Sequence, residues 1–149
     1  YNNDCIYTPK VTVFRDDNTE KILEASLWYE IDVISCAAPN LRNMPSNAMN
    51  PDSGDKAAVI QPADLLELHK RRISRVLDIA AANGAEVMIL GAFGCGAFRN
   101  PPDIVAEAIA GVLGDYLRCF KVIEFAVYCP PVDTRNYDVF ERILSPLCS

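Results

Sequence analysis

The sequence has little of what metal sites, membrane anchors and nucleic-acid-binding surfaces require. It contains one histidine, and none of its six cysteines forms a CxxC pair, so we expect no metal site. No apolar run approaches the roughly 20 residues that a membrane-spanning helix needs. The net charge of −6 is unfavourable for a general nucleic-acid or membrane-surface binder, which needs clustered positive charge. We therefore expect neither nucleic acid nor membrane among its partners.

An initiator methionine is also absent, since the chain opens with Tyr1 in the stretch YNNDCIYTPKV, which leads towards a strand. This start predicts a fragment, a processed chain or one half of a divided protein. Several of the scattered cysteines lie in apolar runs typical of strands, where cysteine acts as a small hydrophobic residue. This usage indicates a reducing, cytoplasmic setting.

Strand-like and helix-like patterns alternate along a chain of 149 residues, half of them hydrophobic, which is enough for one domain covering residues 1–149. The predicted strands are 11–14, 28–38, 86–92 and 121–129, and the predicted helices are 63–83, 101–116 and 137–144. A polar stretch rich in Pro, Asn and Ser at 41–55 predicts a long loop. This order predicts an α/β fold with a largely parallel sheet and helices on both faces.

The most informative segment is ILGAFGCGAFRNPPD at 89–103, where a predicted strand meets a predicted helix. Gly94 and Gly96 allow close approach to the backbone. Asn100 is a candidate helix cap, with Pro101 at the first helical position. Because the amides and the helix N-terminus favour anions, the turn is a candidate diphosphate site.

Two other interpretations of this turn remain open. A dinucleotide-binding fingerprint would need a third glycine where the sequence has Arg99. The glycines could also serve only to make a tight turn.

Three features outside the turn's glycines are weighed against ordinary structural roles. His69 lies on the apolar stripe of its helix, which favours a hydrogen-bonded place at the edge of the core. Cys95, near a helix N-terminus, is a candidate for a lowered thiol pKa, and a Cys95–His69 nucleophilic site is a minor alternative. Four basic residues favour a solvated helix face over a nucleic-acid site: Lys70, Arg71, Arg72 and Arg75.

The stretch ILGAFGCGAFRNPPDIVAEAI, preceded by IDVISCAAPNL and followed by FKVIEFAVYC, resembles the microbial-type poly(ADP-ribose) glycohydrolases. YTPKVTVFRDD and YDVFERIL at the two ends are similar to that family as well. The resemblance implies a macrodomain-like three-layer α/β/α fold with a mostly parallel mixed sheet, incomplete at its N-terminal side. It also implies that ADP-ribose or poly(ADP-ribose) is the ligand, with no cofactor.

The resemblance also implies which residues form the cleft. The loop of Gly94, Cys95, Gly96, Ala97 and Phe98 would hold the diphosphate. The turn at Pro39 and Asn40 would form one wall, and the loop after Cys129 would border the adenosine end.

The chain departs from the family in its catalytic motif, a triple glycine followed by Gln-Glu-Glu, because it contains neither. Asp103 and Glu107 fall in the first turns of a predicted helix, where they serve the helix dipole. We therefore assign no catalytic residue and expect the acid–base carboxyl in a missing N-terminal segment, which could be a separate chain. The alternatives are a non-catalytic ADP-ribose reader and another nucleotide-binding α/β enzyme.

Overall fold

The structure is a computed structural model that describes residues 3–42 and 59–148. Its strands are β1 (Cys5–Val13), β2 (Tyr29–Cys36), β3 (Val87–Leu90) and β4 (Val122–Phe125). Its helices are α1 (Pro62–Ala82), α2 (Pro102–Leu113) and α3 (Arg135–Leu144), with short 3₁₀ turns at Ala25–Leu27 and Ser145–Leu147. Most of the long loop predicted at 41–55 lies outside the described residues.

Strands β1 and β2 form an antiparallel pair whose register runs from Cys5 opposite Cys36 to Val13 opposite Tyr29. The register shifts between Thr8 and Val11, where Lys10 has a φ of 56°. The first strand is longer than the predicted 11–14, because the sequence on both sides of this irregularity joins the ladder.

Strands β3 and β4 form a parallel pair, with Val87 opposite Val122 and Leu90 opposite Phe125. Among the described residues, β2 pairs only with β1 and β3 pairs only with β4. The predicted mixed α/β class is confirmed, with parallel pairing in the second sheet and antiparallel pairing in the first.

The hydrophobic core lies between the three helices and one face of the β3–β4 pair. Leu77 of α1, Ile109 of α2 and Phe140 of α3 are buried there, and burial of such side chains stabilises by about 1.5–3 kcal/mol each. Met88 and Ile123 pack against this cluster. The alternate residues point away from it, so the opposite face of β3–β4 carries exposed apolar side chains.

Helix α1 begins at Pro62, which suits a first-turn position, and ends before Gly84, whose φ is +72°. The prediction that Arg72 lies on a solvated face is wrong. Arg72 is buried, and its Nη1 donates a hydrogen bond to the Ala37 carbonyl oxygen at 2.7 Å. It lies on the helix side that carries His69 and Ile73, so it anchors the segment that follows β2.

Candidate functional site

The candidate site is formed by two loops that follow β2 and β3. The glycine loop (residues 94–98) comes after β3, and the Pro39–Asn40 turn comes after β2. The Leu41 amide donates to the Phe98 carbonyl oxygen at 3.0 Å. The two segments predicted to border one cleft are therefore adjacent, as expected where the carboxyl ends of strands meet.

The buried side chain of Asn100 holds these two loops together by hydrogen bonds. Its Nδ2 donates to the carbonyl oxygens of Pro39 at 2.7 Å and Gly94 at 3.0 Å, and its Oδ1 lies 2.9 Å from His69 Nε2. The predicted helix cap at Asn100 is wrong, because α2 begins at Pro102 with Pro101 before it and no side-chain cap. The buried side-chain amide instead donates to two backbone carbonyls, and that of Gly94 also accepts from the Asn100 backbone amide at 3.1 Å.

Gly94 and Gly96 have different roles in the loop. Gly94 has a φ of +78°, and a Cβ there would lie 2.5 Å from Asn100 Nδ2 and 2.6 Å from Ala38 Cβ. Glycine is therefore required at 94 by internal packing and by backbone conformation. A Cβ on Gly96 would meet nothing within 4 Å. The space over Gly96 is open, which is what a ligand approaching the backbone needs.

The glycine loop presents unused backbone donors. The Cys95 amide donates to the Ala92 carbonyl oxygen at 3.0 Å, and the Arg99 amide donates to Gly96 at 3.0 Å. Within residues 3–42 and 59–148, the amides of Gly96, Ala97 and Phe98 donate to no acceptor. Three consecutive free amides near the start of α2 are suited to an anion.

His69 is a buried, neutral partner of Asn100. Burial lowers its pKa, and the charge of nearby Arg72 acts in the same direction, whereas the hydrogen bond with Asn100 acts against it. Since the Asn100 amide nitrogen faces two carbonyls, its oxygen faces His69, so Nε2 carries the proton. His69 Nδ1 has no hydrogen-bond partner among the described residues. The predicted hydrogen-bonded core role is confirmed.

Cys95 lacks the properties of a nucleophile. Burial, together with the negative charge of Asp103, raises the pKa of its thiol to about 11. The expectation of a lowered thiol pKa is therefore wrong, because desolvation of the thiolate outweighs the helix N-terminus. Among the described residues, no hydrogen bond joins the two side chains: the Cys95 thiol faces the Phe93 carbonyl oxygen at 4.0 Å, and His69 bonds to Asn100. This geometry removes the support for a Cys95–His69 site.

Arg42 is a candidate site residue that the sequence analysis did not single out. Its guanidinium carbon lies 5.7 Å from the centre of the Phe98 ring, within the range of a cation–π contact. Its amide donates to Asn40 Oδ1 at 3.3 Å, so the Pro39–Asn40 turn places it. The signal in the sequence is the Asn-Leu-Arg spacing, in which an asparagine folds back on the amide two residues later.

Other predicted features lie apart from the glycine loop. Among the described residues, no hydrogen bond joins that loop to the segment after Cys129, whose role stays a prediction. Asp103 and Glu107 are exposed on α2. A cavity of roughly 750 Å³ lies between β2 and β3, and one of roughly 490 Å³ lies beside α1, so neither includes the glycine loop. In the described part of the chain, no cluster of His, Cys, Asp or Glu is suited to a metal.

Comparisons with known proteins identify the class of fold to which this chain belongs. Searches against protein-family models and against curated proteins find no match. Solved structures do match. Poly(ADP-ribose) glycohydrolase from Deinococcus radiodurans in complex with ADP-ribose is 32% identical, with a TM-score of 0.79 over 100% of this chain and 55% of that one. The fold is therefore that of a macrodomain-like α/β protein.

Two further solved structures are similar to the chain. The apo form of the Deinococcus radiodurans enzyme is 31% identical, with a TM-score of 0.76 over 100% of this chain and 56% of that one. The Thermomonospora curvata enzyme is 29% identical, with a TM-score of 0.77 over 96% and 48%. The chain thus spans about half the length of the proteins it matches. The resemblance seen in the sequence is confirmed: the chain is related to the microbial poly(ADP-ribose) glycohydrolases.

In the described part of the chain, every helix is too short or too polar to cross a bilayer.

Proposed function

We propose that residues 1–149 form one ADP-ribose-binding domain of a protein that hydrolyses ribose–ribose bonds in poly(ADP-ribose) or a related ADP-ribose linkage. The observation that carries this proposal is the row of free amides at Gly96, Ala97 and Phe98. It lies in a chain that is matched along its whole length by a glycohydrolase solved with ADP-ribose. A cytoplasmic location stays a prediction.

In the proposed complex, the diphosphate lies against the glycine loop, Gly94, Cys95, Gly96, Ala97 and Phe98. The Pro39–Asn40 turn forms one wall of the cleft. The open space over Gly96 admits phosphate oxygens, and the N-terminus of α2 adds a favourable dipole. Arg42, which stands over Phe98, supplies a cation at a site whose binding is otherwise carried by neutral amides.

Catalysis in this proposal needs a group from outside the 149 residues. Cleaving a glycosidic bond requires a carboxyl group that protonates the leaving oxygen as positive charge develops on the sugar. Neither Asp103 nor Glu107 makes a hydrogen bond in the glycine loop. The chain therefore supplies binding and orientation, and the acid–base carboxyl comes from polypeptide beyond it. This chemistry needs no metal and no cofactor.

Calorimetry with Gly96→Val tests the binding site. A valine side chain would fill the open space over the amides without striking the protein itself. We expect ADP-ribose binding to fall by at least tenfold while the circular dichroism spectrum is unchanged. Gly114→Val is the matched control, because Gly114 also has open space around it but lies at the far end of α2. Undiminished affinity of Gly96→Val, or tighter binding of NAD than of ADP-ribose, would overturn the proposal.

The second candidate is a reader that binds ADP-ribose without cutting it. It is favoured by one observation: the chain contains no two adjacent glutamates. Incubating the complete gene product with poly(ADP-ribose) separates the two functions. Release of ADP-ribose supports the hydrolase, whereas retention of intact polymer supports the reader.

A further inference from the structure

We propose that Cys5 and Cys36 form a redox-modification site, in which two thiols on paired strands are oxidised to a reversible disulfide by a small-molecule disulfide such as oxidised glutathione. The inference goes beyond the proposed function and does not depend on ADP-ribose binding. Its consequence is a covalent link between the start of β1 and the end of β2, shortly before the Pro39–Asn40 turn.

The first argument is the register of the two strands. Cys5 stands directly opposite Cys36 in the antiparallel β1–β2 ladder. Directly opposite residues have Cα atoms about 4.5–5.5 Å apart and side chains on the same face of the sheet. A disulfide needs Cα atoms about 4.4–6.8 Å apart, so the ladder supplies the spacing that the bond requires. In the described ladders, no other two cysteines are opposite each other.

The second argument is that the two thiols interact. Burial raises the pKa of the Cys36 thiol to about 11, and a hydrogen bond with the Cys5 thiol acts in the same direction. Such a bond requires the two sulfur atoms to be neighbours, so the side chains meet as well as the backbones. Both cysteines are free thiols and only partly buried, so a small reagent in the solvent can reach them.

The third argument is the cation beside the pair. Arg72 Nη1 donates to the Ala37 carbonyl oxygen at 2.7 Å, and its Nε donates to Asn3 Oδ1 at 3.4 Å. The guanidinium therefore contacts the chain next to both cysteines. Burial of the Cys36 thiol raises its pKa, and the positive charge of Arg72 acts against this rise. A cation at this place favours the thiolate, which is the form that attacks a disulfide.

The reaction is a thiol–disulfide exchange in two steps. The thiolate of one cysteine attacks a sulfur atom of the reagent, breaks its S–S bond and releases one thiol. The second cysteine then attacks the protein sulfur of this mixed disulfide, forms the Cys5–Cys36 bond and releases the second thiol. Two electrons and the two thiol hydrogens pass from the protein to the reagent. An excess of reduced thiol reverses the exchange, as for the transient disulfides of reducing compartments.

Peptide mapping without reduction tests the site. The folded chain is incubated with oxidised glutathione, the remaining thiols are alkylated, and the monomer is isolated and digested with trypsin. Each of the six cysteines lies on a different tryptic peptide, with Cys5 on 1–10 and Cys36 on 22–42. We expect these two peptides to be recovered as a linked pair that dithiothreitol separates. If the linked pair does not form, the proposal is wrong.

A matched control moves one thiol to the other face of β2. The double variant Ser35→Cys, Cys36→Ser keeps the number of cysteines, but successive residues of a strand point to opposite faces. We expect the yield of the linked pair to fall by about tenfold or more, because the two thiols no longer share a face. An equal yield would contradict the proposal, since the link would then not depend on the register.

Urea unfolding gives a second readout. The bond closes the loop between residues 5 and 36, which restricts the unfolded chain. We expect the oxidised chain to unfold at a urea concentration about 1 M or more above that of the reduced chain. An unchanged or lower midpoint would show that the bond distorts the native ladder, and the proposal would then be abandoned.

Discussion

At the residue scale, Asn100 links the two loops of the candidate site through bonds to Pro39, Gly94 and His69. Asn100→Ala removes the side-chain donor of the Pro39 carbonyl and the acceptor of a buried imidazole, whereas the Gly94 carbonyl keeps the backbone amide of residue 100 as a donor. We expect it to lower the free energy of unfolding by about 2–4 kcal/mol, since each unsatisfied buried group costs about 1–3 kcal/mol. Urea unfolding measures this change.

Two further variants serve as a comparison and a control for Asn100→Ala. Asn100→Asp keeps the shape but turns an acceptor towards the carbonyls, so it should be no milder than alanine. Asn18→Ala, at an exposed position, should change stability by less than about 0.5 kcal/mol. If Asn100→Ala behaves like Asn18→Ala, the loops are held by something else.

His69 gives the fold a specific dependence on pH. Burial lowers the pKa of His69 below its usual value of 6.5. As the pH falls below about 6.5, the unfolded chain therefore takes up a proton before the folded chain does, and stability declines. The full contribution is present above this pH. The loss ends only below the lowered pKa of the folded state.

His69→Gln isolates that contribution, because glutamine can donate to Asn100 but does not titrate. We expect the wild-type chain to lose more unfolding free energy than His69→Gln between about pH 7.5 and pH 5. Urea unfolding at both pH values measures the difference, and the carboxylates common to both chains cancel. Equal losses would show that His69 is not held neutral.

The thiol groups offer a direct check of the environment at Cys95. Its pKa of about 11 predicts slow reaction with a disulfide reagent near pH 8, since the thiolate is the reactive form. Cys119, Cys129 and Cys148 are exposed and should react first. Cys95→Ser should leave the fast phase intact, whereas Cys129→Ser should reduce it. A fast phase that disappears in Cys95→Ser would restore a nucleophilic role.

At the scale of elements, glycine can be required for two reasons, a positive φ or a lack of space for a Cβ, and the turn between β3 and α2 helps to distinguish them. Gly94 has a positive φ and no room for a Cβ, Gly84 has a positive φ with open space, and Gly96 has open space alone. Alanine should therefore cost about 2–5 kcal/mol at 94, about 1–2 at 84, and less than about 0.5 at 96. Thermal or urea unfolding of the three variants tests this order. Equal effects at 94 and 84 would mean that crowding by Asn100 is unimportant.

Periodicity predicted the helices well, because their apolar stripes and proline starts are local signals. Helix α1, predicted over 63–83, spans Pro62–Ala82. Pairing partners are not local, and the antiparallel pairing of β1 with β2 could not be derived from an alternation of strands and helices. The same holds for Asn100: its position before two prolines suggested a cap, whereas two of its three partners, Pro39 and His69, lie 61 and 31 residues away in the sequence.

At the scale of the whole molecule, the sequence indicated which loops meet at the candidate site but not which atoms are in contact. Two arguments predicted that the Pro39–Asn40 turn meets the glycine loop: the carboxyl ends of parallel strands lie at the same edge of a sheet, and the family resemblance implies one cleft. The free amides at 96–98, the burial of Arg72 and the place of Arg42 over Phe98 depend on three-dimensional packing. Composition carries no information about such packing.

Also at this scale, one face of the β3–β4 sheet is not covered by any of the described helices. Val87, Ile89 and Val122, on the face of β3–β4 away from the core, are 55%, 63% and 48% exposed. Contiguous apolar surface of this kind binds hydrophobic dyes and partners. We expect the folded chain to enhance the fluorescence of anilinonaphthalene sulfonate, and we expect the double variant Ile89→Lys, Val122→Lys to reduce that signal by more than half.

The double variant should unfold within about 1 kcal/mol of the wild type, because both side chains already face solvent. Val132→Lys, at a 95% exposed loop position, should leave dye binding unchanged. Dye binding that persists in the double variant would mean that the signal arises elsewhere, from a loosely packed core.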